Sequence, residues 1–531
     1  MTNGLKKRRV RKETDKEIIM NEYSSNDTKK TNSTKNPTKP DSIPQYWENM
    51  FRMGARELLV EIMGPKPVKE KAGVWNEEQI SKLNEKWNEF LLQSQIYVSK
   101  LLRAENLSFL FGAGPSIPLG AITIKKIPLE LEHRLCKSLL ITPDEVKLFY
   151  KILEYMMDSK PFNQTDITAR STAVEQLVTQ ANNATMKEQE IKIPLEDFLS
   201  FMYCLRSAIL TQVKSHNTSS ISSVLCLKKG SCDITLKLDI LNNLINTIKK
   251  EYFFLLSEVP KSSISNPLSI HKQFLKKILT RPLNLRRPKI FTTNNDLVIE
   301  NAMDALGIMY LDGFVGTTRR SFRPECYNYD FYFPSTSTEG RVHRVDQVIH
   351  FYKIHGSINW ITSFDSPENI YGIESKDIKT IEKENKYGEV MIYPTPLKNE
   401  FTLGFPYSDL FRRFADAITQ PQSVLITLGY SFSDEHINRV IYQALTIPSF
   451  TLLIIDPVAD KNEEIKKLIT LDDTRIHVIS GRTIGTFEGF TGQLLPDIKE
   501  LEVREKSTTS ARRMLRLDEI SEESSSVEES Q

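Results

Sequence analysis

The chain has 531 residues and a mass of 61.1 kDa, with 40% hydrophobic and 9% aromatic side chains, enough for two or three domains with packed cores. Its formal net charge of only +2 argues against a protein that coats nucleic acid with its whole surface. Five cysteines (Cys136, Cys204, Cys226, Cys232 and Cys326) form no C-x-x-C pair and are odd in number, so free thiols are expected rather than a disulfide framework or zinc ribbon.

Residues 1–41 are basic and poor in large apolar side chains, and are expected to be a disordered arm. No apolar h-region follows the basic start, and no apolar run is long enough to span a bilayer. The expected compartment is reducing and cytoplasmic, with no membrane partner. Residues 42–105 read as N-terminal helices: Ile80, Leu83, Trp87, Phe90 and Leu91 recur at helical spacing, and Pro65 and Pro67 break the region into at least two.

From 106 to about 500 the pattern becomes short apolar runs separated by helical stretches. The runs are Leu107–Phe111, Lys289–Thr292, Val348–Ile354, Ser423–Leu428, Thr451–Ile455 and Arg475–Ile479. Continuous hydrophobicity of strand length predicts strands buried on both faces, hence an open α/β fold with a parallel sheet flanked by helices. The interval 141–284 interrupts the rhythm and reads as a mostly helical insertion, with a Ser/Thr-rich loop at Ser215–Ser223. Residues 501–531 are polar, then acidic, and are expected to be a disordered tail.

Ligands in open α/β sheets bind beyond the carboxyl ends of the strands, so the residues there are the candidates. Gly112-Ala113-Gly114-Pro115-Ser116 follows the first run, and glycines at that spacing let backbone approach a pyrophosphate with amides turned toward it. Thr293-Asn294-Asn295-Asp296 follows the second; Asn294 and Asp296 could place a sugar and a water, or serve as a helix cap or Asx-turn. His355-Gly356 follows the third and offers a candidate acid or base. Gly429-Tyr430-Ser431 follows the fourth, ahead of Ser433 and Asp434, which suit a helix start. Asp456 ends the fifth, where a carboxylate could accept from an adenosine ribose hydroxyl.

The ordered set Gly112-Ala113-Gly114-x-Ser116, Thr293-Asn294-x-Asp296, His355-Gly356 and Gly429-x-Ser431 resembles the sirtuin family. The stretches FTTNNDLVIENAMDALGI, YKIHGSINW and LGYSFSDEHINRVIYQAL look like its bacterial branch, which occurs in anti-phage defence proteins that destroy NAD. The resemblance covers roughly 106–140 and 285–495. It implies a Rossmann-like fold, with NAD held between the sheet and a smaller lobe. Asn294 would orient the nicotinamide ribose or a water, Asp296 would support the pocket, and His355 would meet ribose hydroxyls or act as base. Gly112, Ala113, Gly114 and Ser116 would cradle phosphates, with Thr293, Gly429 and Ser431 also lining the cofactor site.

Two departures bear on the reaction. Deacylating sirtuins carry four zinc-binding cysteines after the His-Gly motif, whereas here no cysteine follows Cys326, so no metal is expected. Their Asp-Phe-Arg segment is replaced by Gly120-Ala121-Ile122-Thr123-Ile124-Lys125-Lys126. Without the zinc ribbon the usual cleft for an acyl-lysine peptide is lost, which shifts the expectation from deacylation to NAD hydrolysis, releasing nicotinamide and ADP-ribose. The alternatives are a deacylase or ADP-ribosyltransferase, or a non-catalytic NAD or ADP-ribose sensor. The resemblance further implies a gated enzyme: a homo-oligomer, or one working with a hexameric helicase-like ATPase or a short Argonaute.

Overall fold

The computed structural model describes residues 45–67, 76–122, 127–137, 142–156, 195–215, 224–229, 232–261, 263–334, 342–365, 367–391 and 404–499. The expected basic arm, the acidic tail and most of the Ser215–Ser223 loop lie outside these residues. The architecture below is that of the described residues in the unit Pro44–Lys66 with Glu78–Gln531.

In chain order, β1 (Met50–Met53) and β2 (Arg56–Glu57) form a hairpin, and β3 is Asn106–Phe111. A second hairpin, β4 (Val224–Lys229) and β5 (Cys232–Lys237), lies within the insertion. There follow β6 (Lys289–Thr292), β7 (Met309–Leu311), β8 (Phe314–Val315), β9 (Arg320–Phe322), β10 (Tyr332–Pro334), β11 (Val342–Arg344) and β12 (Val348–Lys353). The last are β13 (Trp360–Thr362), β14 (Ile373–Ser375), β15 (Ser423–Leu428), β16 (Thr451–Asp456) and β17 (Ile476–Ser480).

Nine of these build the central sheet in the order β2-β1-β17-β16-β15-β3-β6-β12-β7. The seven from β17 to β7 are parallel, and β1 joins β17 antiparallel. Every residue of β12, β15 and β17 is buried, which is why these runs lack polar alternation. The α/β architecture expected from the runs is therefore present. The N-terminal region also holds the helices Leu58–Met63 and Glu77–Leu102, but β1 and β2 stand where the periodicity predicted helix.

Alternation along β3 assigns its side chains to two layers. Phe109 and Phe111 pack edge-on against Phe274 of the helix Ser269–Ile278, at ring separations of 5.2 and 5.3 Å. Leu110 points the other way, into a core shared with Phe291, Tyr352, Phe414, Ile441 and Ile465. Burying each such side chain stabilises the fold by about 1.5–3 kcal/mol. The insertion has its own core, in which Phe149, Phe198, Leu199, Met202 and Phe253 meet Ile358 and Ile361 just beyond His355. A separate four-stranded sheet, β13-β14-β9-β8, is closed by Phe314, Phe322 and Trp360, whose rings lie 5.1 to 5.9 Å apart. Among the described residues, no helix is long and apolar enough to cross a membrane.

Candidate functional site

After β3 the chain builds outward through β6, β7 and β12 on one side, then returns to lay β15, β16 and β17 on the other. The boundary between β3 and β15 is a topological switch point, where the loops leaving two neighbouring strands diverge and open a crevice. Gly112–Ser116 and Gly429–Ser431 are those two loops.

They meet backbone to backbone. The Gly112 amide donates to Leu428 O and the Gly114 amide to Gly429 O, both at 3.1 Å, and the Gly429 amide donates to Ile455 O at 3.1 Å. A Cβ on Gly112 would stand 2.4 Å from Gly429 O, one on Gly114 would stand 2.5 Å from Gly429 Cα, and one on Gly429 would stand 2.4 Å from Gly114 Cα. Gly429 also has φ +58, in the left-handed region. The glycines thus let two loops touch. Their amides, expected from sequence to face a pyrophosphate, are already given to protein carbonyls, as is that of Ser116, which donates to Ala113 O at 3.0 Å.

The loop leaving β6 is fastened to the first glycine loop through side chains. Asn294 Nδ2 donates to the hydroxyl of buried Ser116 at 3.2 Å, and the Asn294 amide donates to Thr292 Oγ1 at 3.0 Å. Thr293 gives both its amide (3.0 Å) and its hydroxyl (3.3 Å) to Phe111 O. Asp296 is buried and accepts from the Val298 amide at 3.1 Å, an Asx-turn leading into the helix Val298–Asp304. At least one of its carboxylate oxygens therefore shapes the chain rather than a ligand.

Two residues not singled out from the sequence hold this loop. Asn295, between the two motif positions, donates from Nδ2 to His355 O at 2.9 Å and Gly356 O at 3.1 Å, while its carbonyl accepts from the Ile358 amide at 3.1 Å. It clamps the β6 loop to the turn after β12. Lys353, the last residue of β12, is 3% exposed; its ammonium donates to the carbonyls of Asp296 and Asn295 and pairs with Glu300 at 2.7 Å. The available signal was a lysine ending a mostly apolar strand, with an acid early in the helix that follows β6.

His355 is buried, with Nε2 3.1 Å from Asp434 Oδ2 but out of line for a hydrogen bond, so the contact is electrostatic and the nitrogen lacks an aligned partner. Asp434 is held in place as the cap of the helix Glu435–Ala444, accepting from the His436 amide at 3.1 Å. The Phe411 ring centre lies 6.3 Å from that of His355. Gly356, at φ +75, turns the chain where a Cβ would stand 2.3 Å from Val390 O.

Across the crevice Ser431 is exposed, its hydroxyl 2.9 Å from that of Ser433 and its carbonyl accepting from Asn462 Nδ2 at 2.6 Å. The next residue, Phe432, is buried at φ +54, an uncommon conformation for a bulky side chain, fixed in part by Asn438 donating to its carbonyl at 2.7 Å. Asp456 stands at the end of β16, beside Gly429. Burial raises its carboxyl above the usual range, Asp460 adds to this, and the Val458 amide, donating to Oδ1 at 2.8 Å, opposes it. A buried carboxylate at a strand end is suited to accept from a ligand hydroxyl.

Residues 288–479 match the family described as the SIR2-like domain. The matched segment starts just before β6 and ends within β17, so it contains Thr293, Asn294, Asp296, His355, Gly429, Ser431 and Asp456, while Gly112–Ser116 lie outside it. No curated protein matches the chain. A SIR2-like domain on a Rossmann-like sheet points to chemistry that uses NAD.

Proposed function

We propose that the protein is an NAD glycohydrolase, cleaving the nicotinamide–ribose bond to release nicotinamide and ADP-ribose. The observation that carries this reading is that Asn294, joined to Ser116 at 3.2 Å, and buried His355, with its unaligned Nε2, stand on loops leaving adjacent parallel strands. Breaking that bond moves the positive charge of the nicotinamide ring onto an oxocarbenium-like ribose, and nicotinamide departs neutral, so no strong general acid is needed. Placement of water and of dipoles around the ribose is what lowers the barrier. On this reading the Asn294 amide orients the ribose or the attacking water, and His355, steadied by Asp434, meets the ribose hydroxyls or takes the proton from water. Asp456 accepts from the adenosine ribose, and Gly112–Ser116, Thr293, Gly429 and Ser431 line the dinucleotide site.

The segment after His355-Gly356 favours hydrolysis over transfer to an acyl-lysine. No cysteine occurs beyond Cys326, and the chain there builds β13 and β14 of a sheet closed by aromatic rings. Such an activity needs control, and we further propose that it serves anti-phage defence, gated by self-association or by a partner such as a helicase-like ATPase. The test is nicotinamide release from NAD by the full chain, alone and with an acyl-lysine peptide. Asn294→Ala and His355→Ala are each expected to lower turnover at least 100-fold, about 3 kcal/mol, a loss larger than the accompanying change in stability explains. Undiminished turnover in either variant removes the site assignment. NAD loss only with the peptide favours a deacylase or transferase, and saturable NAD binding without turnover a sensor.

A further inference from the structure

A cavity of about 490 Å³ lies behind the β6 loop, between the helix Val298–Asp304, the ends of β7 and β12, and the small sheet β13-β14-β9-β8. None of the loop residues at the switch point lines it. Its volume falls in the range that holds a small organic ligand.

The charges on its wall are unevenly matched. Each lining base is committed: Lys353 to Glu300 at 2.7 Å, Arg320 to both oxygens of Asp312 at 2.8 and 2.9 Å, and Lys376 to Glu384 at 2.7 Å. Two lining acids form no ion pair among the described residues, although Arg320 lies within electrostatic reach of Asp304. Asp304 accepts from the Tyr310 hydroxyl at 3.1 Å, and Asp377 caps the helix Ile378–Glu384, accepting from the Thr380 amide at 3.1 Å. The spare charge is negative. Tyr310 senses it: burial raises its phenol, and Asp304, Asp312 and Glu300 raise it further. Tyr310 and Trp360 add aromatic surface, which attracts cations electrostatically.

We infer that this cavity binds a small organic cation bearing a primary ammonium group, seated between Asp304 and Asp377 against Tyr310 and Trp360. Lys353 links such a ligand to the β6 loop, because its ammonium is shared between Glu300 on the cavity wall and the carbonyls of Asn295 and Asp296. An ammonium drawn to Glu300 competes with Lys353 for that carboxylate and loosens its hold on the loop.

The test is direct binding to the full chain, which does not require turnover of NAD. Isothermal titration compares 1,5-diaminopentane with the dianion glutarate and neutral 1,5-pentanediol. The expected result is saturable binding of the diamine alone, weakened at least tenfold by Asp304→Asn with Asp377→Asn; both changes keep the shape, and asparagine still caps a helix. The second expected result is faster exchange of the Ile358 amide hydrogen, which donates to Asn295 O, when the diamine is bound. Glutarate or pentanediol binding as tightly as the diamine, no binding at millimolar concentration, or diamine affinity unchanged in the double variant each overturns the assignment. Binding without altered exchange at Ile358 overturns the link through Lys353.

Discussion

The two loops flanking β3 at the switch point are secured by opposite means. Toward β15, Gly112, Gly114 and Gly429 touch through bare backbone, and the fastening consists of amides, carbonyls and the absence of side chains. Toward β6 and β12, the fastening consists almost wholly of side chains: Asn294 on Ser116, Asn295 on the His355-Gly356 turn, and Lys353 under the loop carbonyls. The first arrangement tolerates no added atom, because the colliding partner is backbone. The second tolerates isosteric change but not the loss of a donor. A crevice built this way has one unyielding wall and one whose position depends on a few polar groups, which suits a site where one part must adjust.

The contrast breaks most severely on the glycine side. Gly429→Ala places a methyl group 2.4 Å from Gly114 Cα at φ +58, and is expected to cost about 3 kcal/mol or more by denaturant titration, with Gly112→Ala close behind. A loss below 1 kcal/mol in either variant shows that the loops can separate. On the side-chain side, Lys353→Met leaves half-buried Glu300 without its cation and is expected to cost about 3 kcal/mol, part of which returns on adding Glu300→Gln. No recovery in the double variant means that the carbonyl contacts, not the ion pair, set the cost.

Acid affects both sides. His271 lies beside Pro115 of the first glycine loop, His477 on β17 and His350 on β12, and burial depresses each to about 4, with Lys289 lowering His350 further. Facing charges oppose the trend only in part, Asp473 at His477 and Asp330 at His350. Because the folded values lie below the unfolded value near 6.5, this stability is complete above pH 6.5 and falls as pH drops toward 4, by up to about 3 kcal/mol per histidine. Thermal midpoints between pH 7 and 4 check this, and His350→Gln is expected to flatten part of the slope. Asn295→Ala, which strips donors from His355 O and Gly356 O, is expected to cost about 1–3 kcal/mol and to perturb NAD turnover beyond what the stability loss explains. Ser431→Ala, at an exposed hydroxyl, is the smallest change: under about 0.5 kcal/mol in stability, read instead as a change in KM for NAD.

Much of the sheet was legible because burial on both faces leaves a plain apolar signal. Lys289–Thr292 and Ser423–Leu428 coincide with β6 and β15, and the other four predicted runs lie within a residue of β3, β12, β16 and β17 at either end. β7 was missed because three residues, Met309–Leu311, carry no periodicity, and β1 because its strand character depends on pairing with β17, remote in the chain. The hairpin β4–β5 was hidden inside an interval read from its helices. At the site, Asn294 and His355 stood out by residue type at strand ends, whereas Asn295 looked like a spacer and Lys353 like an interruption in an apolar run.

The sequence by itself determined the kind of sheet, its strand ends and the polar residues placed there, since local hydrophobicity and turn chemistry are written in consecutive residues. Only the tertiary structure decided what those residues touch. The glycines serve loop contact, Asp296 turns the chain into a helix, and Asn295 and Lys353 hold the loop. Those roles depend on distances between segments far apart in the chain, which strand order sets and no local pattern encodes.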